Sequence, residues 1–237
     1  MVNDLTVPTT GALSVPGRGF ERGVDRSDLI IPRAKMLQGL SPEIMENRRE
    51  GLRVGQIINS LTLETLPSRF VPIFYWKEWF RFNPRSRDKA GWTDGIDPGA
   101  LIWRSKDADD PRVVDEAAWG EDGETPLAMT VLNFFSLFNG VPMPLVISFA
   151  KTSYKAGKQL LSLTRFCGGD MFSRAYQLSS TMQKNGDVIY YTAQVTALGE
   201  SDAAERTQAE AWWSTFAQKA DLKVHEERRE PGDDLEV

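Results

Sequence analysis

The residues best suited to chemistry lie at 70–82, Phe-Val-Pro-Ile-Phe-Tyr-Trp-Lys-Glu-Trp-Phe-Arg-Phe, the densest aromatic run in the chain. Read as a strand, its side chains alternate between two faces. One face carries Phe70, Pro72, Phe74, Trp76, Glu78, Phe80 and Phe82 and suits a core. The other carries Val71, Ile73, Tyr75, Lys77, Trp79 and Arg81. Rings that stack on bases, interleaved with cations that meet phosphates, are what a single-stranded nucleic-acid platform requires. Tyr75 and Trp79 are the expected stacking residues, with Trp76 a further candidate, and Lys77 and Arg81 the expected phosphate partners. The competing reading is a strand buried on both faces, with Lys77 and Arg81 snorkelling at its rim.

A second set of cations falls between residues 151 and 167. Ala156, Leu160, Leu163 and Cys167 form one apolar stripe at helical spacing. Lys151, Lys155, Lys158 and Arg165 recur on roughly the opposite side, with Tyr154 near the start and no acidic residue from Lys151 to Arg165. A solvated helix face ordinarily mixes signs; a face of one sign favours a polyanion. Thr152 and Ser153 offer capping oxygens, and Gly168-Gly169 stop the helix.

Other chemistries are poorly supplied. The chain has one cysteine and one histidine, His225, which argues against a zinc site of Cys and His, a Ser-His-Asp triad in the fold, and a disulfide framework. Cys167 lies on the apolar stripe and reads as a buried structural thiol. No Gly-rich phosphate loop of either common type is present, so no cofactor is expected. Asp107, Asp109 and Asp110 are the tempting metal ligands. They lack the Gly and distal Glu of an EF-hand loop and read as a solvated acidic loop. A Mg²⁺-dependent nuclease built on them is the enzyme to test against.

Net charge is −5 over 237 residues, but its distribution decides more than its sum. Residues 88–124 carry a net −7 and residues 226–237 a net −4, so the remainder is +6. The expected organisation is a flexible arm at 1–26, one domain at 27–222 with an acidic insert at 88–124, and an acidic tail at 223–237. No apolar run reaches membrane-spanning length and no signal-peptide pattern opens the chain, so a cytoplasmic protein without membrane contact is expected.

The elements that must hold these residues are mostly strands. Residues 54–63, 130–138, 145–149, 176–181 and 188–198 read as strands, with Asn139-Gly140 and Lys184-Asn185-Gly186-Asp187 as hairpin signals, the latter type I′. A short helix is expected from Ser41-Pro42 to about Gly51. Asp202 with Glu205 opens a C-terminal helix whose stripe is Ala209, Trp213, Phe216 and Ala220, more suited to core packing than to binding. Hairpins without βαβ alternation imply a mainly β, α+β fold: an antiparallel barrel of the oligonucleotide/oligosaccharide-binding (OB) type, with one helix between strands and a C-terminal helix.

The order of segments resembles a group of bacteriophage early-region proteins regarded as single-stranded DNA-binding proteins of the OB-fold type. The resemblance rests on Leu-Ile-Ile-Pro-Arg-Ala-Lys-Met-Leu-Gln-Gly-Leu-Ser-Pro-Glu at 29–43, the aromatic run, Asn133-Phe134-Phe135, and Ile-Ser-Phe-Ala-Lys-Thr-Ser-Tyr-Lys-Ala-Gly-Lys at 147–158, and it covers residues 29–198. It implies a non-enzymatic replication or recombination protein of the bacterial host cytoplasm that coats single strands without sequence preference. The acidic tail resembles tails that recruit replication proteins, although this one ends in Val237 rather than an aromatic residue. A homo-oligomer is compatible with that role. The alternative is a phage structural or assembly protein on a β-barrel, with the same aromatics packed inside.

Overall fold

The computed structural model describes residues 30–217 except residue 121. The expected arm and acidic tail lie outside the described residues. The elements are β1 (Ala34–Met36), α1 (Pro42–Met45), β2 (Ile57–Asn59), β3 (Arg69–Phe82), β4 (Leu101–Ser105), α2 (Pro111–Glu116), β5 (Met129–Phe138), β6 (Leu145–Phe149), α3 (Tyr154–Phe166), β7 (Arg174–Asn185), β8 (Val188–Glu200) and α4 (Ala203–Phe216).

The main sheet is antiparallel and runs β6-β5-β3-β7-β8, with β4 also paired to β3. A mainly β, α+β fold is therefore observed, but not a closed barrel. The reason lies in β3, which changes partners along its length. It pairs with β7 only at Arg69 and Phe70, and with β4 only from Trp79 to Phe82. The terminal strands β6 and β8 do not pair with each other. Residues 31–38 connect them differently. Arg33 bridges Val146 of β6, and the Gln38 side chain donates to the Tyr191 carbonyl of β8 (2.9 Å) and accepts from its N–H (2.9 Å). An amide side chain thus caps an edge that another strand would otherwise occupy.

Each face of the sheet buries a main core, and a smaller cluster of Trp79, Trp103, Val113 and Ala128 lies under α2. Phe70, Phe134, Phe138, Phe149, Tyr176 and Leu160 centre the first, under α3 and the β1–β2 pair. Val71, Ile73, Phe135, Val146, Ala209 and Phe216 centre the second, under α4. α3 comes so close that a Cβ on Gly157 would stand 2.6 Å from Phe149 Cβ, so only glycine fits there. α4 starts with the expected capping box between Asp202 and Glu205, and Glu205 also holds Arg69 of β3 in a two-point ion pair at 2.8 and 2.9 Å. Phe216 lies 5.6 Å from Phe135 and Trp212 stacks on Phe216; Trp212, rather than the expected Trp213 (40% exposed), joins the core. Ala220 lies outside the described residues.

Several local expectations shift. α1 ends at Met45 rather than near Gly51, and the Ser41 hydroxyl accepts from Gln38 N–H instead of capping that helix. The β7–β8 turn centres on Gly186-Asp187, and only Gly186 has positive φ (56°). A type I′ turn needs positive φ at both central residues, so it is not that type. Within the acidic insert, residues 101–105 form β4 and belong to the sheet.

Candidate nucleic-acid interface

The aromatic strand is not a strict alternation. Pro72 pairs with Ser136 and Phe74 with Phe135, so Ile73 is an extra residue, a β-bulge. Proline supplies no N–H to a ladder, and interior prolines sit at such irregularities. The bulge flips the phase of everything before it. Val71 and Ile73 join Phe74 and Trp76 on the α4 face, while Phe70 shares the α3 face with Tyr75. Neither face of residues 70–82 is the one simple alternation predicts.

On the α3 face after the bulge come Tyr75, Lys77, Trp79 and Arg81. Only the first two reach solvent. Tyr75 is 42% exposed, with its ring stacked 5.8 Å from Phe134. Lys77 is exposed and its ammonium lies 4.7 Å from the centroid of the Trp79 ring. Trp79 itself is buried among Trp103, Val113 and Ala128, so its ring offers no open face to a base. Arg81 is buried as well. It pairs with Glu116 at 3.1 Å and donates to the carbonyls of Phe82 and Gly91. Each of its three nitrogens is engaged within the protein, two of them holding the insert through Glu116 and Gly91, rather than a phosphate. Asn83 completes that anchor by donating to the carbonyls of Thr93 and Ile96 and accepting from Thr93 N–H. Trp76, half-buried on the opposite face, has an indole N–H that finds no hydrogen-bond acceptor among the described residues. The expected five-residue platform on β3 therefore reduces to Tyr75 and Lys77.

The opposite face after the bulge holds a buried polar group. Glu78 pairs with Arg104 at 2.9 Å and Lys106 at 3.7 Å, and accepts from Asn133, which in turn accepts from Ser148. Two cations and an amide thus meet a carboxylate that would be costly to bury without partners.

The basic helix contributes more fully. Lys151 stands in the 3-10 turn before α3 with a left-handed φ of 46°. Lys155, Lys158 and Arg165 are exposed, while Ala156, Gly157, Leu160 and Thr164 turn inward. Lys158 Nζ lies 5.5 Å from the Tyr154 ring, which itself packs on the core. Ser153 accepts from Ala193 N–H and Gln159 donates to the Val195 carbonyl, tying the helix to β8. The helix starts at Tyr154, directly after the expected caps Thr152 and Ser153, but residues 151–153 form a 3-10 turn and the Ser153 hydroxyl serves β8 rather than the cap.

Register places the two parts side by side. Lys77 faces Leu132 across the β3–β5 ladder, and Leu132, with Phe149, is one of the two side chains that Gly157 of α3 packs against. Tyr75 stacks on Phe134, which meets Phe149 beneath the same helix. Tyr75, Lys77 and the outer side of α3 thus share one face of the sheet. Beyond Lys77 that face is closed by α2, whose Val113 covers Trp79.

Two residues at the end of α3 were misplaced or missed. Cys167 is exposed rather than buried, because the helix ends at Phe166 before the stripe completes another turn. Phe166 is 87% exposed and packs in neither core. Its position at the C-terminus, just past the last cation, was the available signal.

The acidic alternative site is occupied by its own turn. Asp107 accepts from Asp109 N–H; Asp110 caps α2 through Arg112 N–H and pairs with the Arg112 guanidinium at 2.7 Å. That guanidinium holds the Asp110 carboxyl well below the usual carboxylate range. Among the described residues no group of three or more His, Cys, Asp or Glu is placed to hold a metal ion. A depression of about 380 Å³ at the start of α4 is lined by Asp202 and Glu205 and would repel an anion. Among the described residues no helix is long and apolar enough to cross a membrane.

No curated protein and no solved structure matches the chain. The family model of the Pam3 phage gp34-like protein matches residues 5–221, nearly the whole length, and the chain belongs to that phage protein family.

Proposed function

We propose that this phage-family protein binds single-stranded DNA without sequence preference, as a non-enzymatic coat in phage DNA replication or recombination in the host cytoplasm. The observation that carries the reading is the cationic outer side of α3, Lys155, Lys158 and Arg165 with Lys151 before it, beside exposed Tyr75 and Lys77 on one sheet face. Cations at that density neutralise phosphates, and an open ring accepts a base of any sequence. Tyr75 stacks, and Lys77, Lys151, Lys155, Lys158 and Arg165 meet the backbone. The acidic insert bounds the site on the α2 side and turns a polyanion toward α3. The acidic tail would serve replication proteins, and cooperative coating would bring copies together along the strand.

The burial of Trp79 and Arg81 favours a second reading, a phage structural or assembly protein whose aromatics only pack. Fluorescence-anisotropy titration of labelled poly-dT at low and moderate salt, against a duplex of equal length and without Mg²⁺, separates the two. The coat reading expects tight, salt-sensitive binding with preference for the single strand. Absence of binding at low salt leaves the structural reading in possession.

A further inference from the structure

Phe166 is the most exposed large apolar side chain on α3, at 87%, and its position on the helix is informative. It follows Lys155 by eleven residues, three helical turns, and Ser162 by four, so it shares their outer side. Arg165 precedes it directly, and Gly168 and Gly169, both with positive φ (69° and 76°), turn the chain away after it. No other large apolar side chain lies on this side of α3; its surface is Lys155, Lys158, Gln159, Ser162 and Arg165.

Those neighbours decide what the ring can meet. A membrane interface would need the apolar side of the helix, and that side is spent on Ala156, Leu160 and the sheet. A protein partner would be expected to bury a ring inside a wider apolar patch with a polar rim. A lone ring at the end of a cationic row fits a ligand that offers flat π faces along a chain of negative charges. Tyr154 and Phe166 lie twelve residues apart, roughly 18 Å along the helix axis, with the cations between them.

We infer that Phe166 is a base-stacking residue, and that the single-stranded DNA track runs from Tyr75 and Lys77 along the whole of α3 to end at Phe166. This rests on the single-stranded DNA reading above.

The test uses the full chain with a labelled dT oligonucleotide and an abasic oligonucleotide of equal length. Phe166→Ala and Phe166→Leu each should weaken dT binding about tenfold, the loss of one stacked base. Phe166→Trp should hold wild-type affinity or exceed it. On the abasic strand, which keeps its phosphates, wild type and Phe166→Ala should bind alike. Unchanged thermal denaturation is expected for all three variants, since the ring packs in neither core. Phe166→Ala within twofold of wild type on dT, or an equal loss on the abasic strand, overturns the stacking assignment while leaving single-strand binding standing. Failure of the wild-type protein to bind dT at low salt overturns both.

Discussion

Replacing Lys155 and Lys158 together with alanine should change how binding depends on salt more than it changes the fold. Both side chains are exposed on α3, so their removal opens no core cavity, although Lys158 gives up its contact with the Tyr154 ring. If Lys77, Lys151, Lys155, Lys158 and Arg165 each neutralise one phosphate, log K against log salt falls with a slope of about −3.5, taking roughly −0.7 per phosphate for a single strand. Between 50 and 200 mM salt that costs about a hundredfold in affinity. Without the two lysines the slope becomes about −2.1 and the same change costs about twentyfold. Anisotropy titrations of dT across that salt range measure both lines. Lys184→Ala, an exposed cation at the tip of the β7–β8 hairpin, is the control and should leave the slope unaltered. Parallel lines for wild type and the double variant would mean that Lys155 and Lys158 make no phosphate contacts.

Tyr75→Ala should weaken dT binding by about 1–3 kcal/mol, one stacked base, with the salt slope unchanged. Arg81→Ala should do the reverse of a phosphate-contact variant: chemical denaturation should show a loss of about 3 kcal/mol from the abandoned Glu116 and carbonyl partners, while the salt slope of the folded protein stays that of wild type. Gly157→Ala should lower the melting temperature, costing about 1–3 kcal/mol, because its Cβ would press on Phe149. Asp110 is held by Arg112 below the ordinary carboxylate range. As a depressed folded-state value, its contribution to the start of α2 is fully present above the unfolded pKa of about 3.9 and is lost only as pH falls through the lower folded value. Carboxyl NMR titration should find Asp110 still ionised at pH values where free carboxylates are half protonated, and Arg112→Ala should return it to the ordinary range.

The strands and the two long helices were legible because their signals are local. Aromatic and β-branched density marked β3 and β5, and Asp202 with Glu205 marked the start of α4. The faces of β3 were not legible by alternation, since one extra residue at Ile73 reverses the phase. Pro72 was the only local warning. β4 was hidden because Ile102 and Trp103 sit among turn residues, and only the pairing of Trp103 with Arg81 and of Arg104 with Phe80 makes this stretch a strand. That pairing also buries Trp79 and Arg81, so the loss of two expected site residues and the missed strand have one cause. Barrel closure was misjudged for a related reason. Hairpin count says which strands neighbour each other in sequence, but not that β3 would exchange β7 for β4 along its length. On α3 the period places Lys155, Lys158 and Arg165 on the outer side, as found, whereas Lys151 falls in the 3-10 turn before the helix and Phe166 and Cys167 at its end, where one residue decides between core and solvent.

In the proposed complex a single strand lies across Tyr75, Lys77 and the outer side of α3. Photo-cross-linking to a bromodeoxyuridine-substituted single strand, followed by mass-spectrometric mapping of the modified peptides, tests this placement most directly. The expected result is adducts on the peptides carrying Tyr75 and residues 151–167. Adducts confined to α4 or to the β7–β8 hairpin, with none on those two segments, would contradict it.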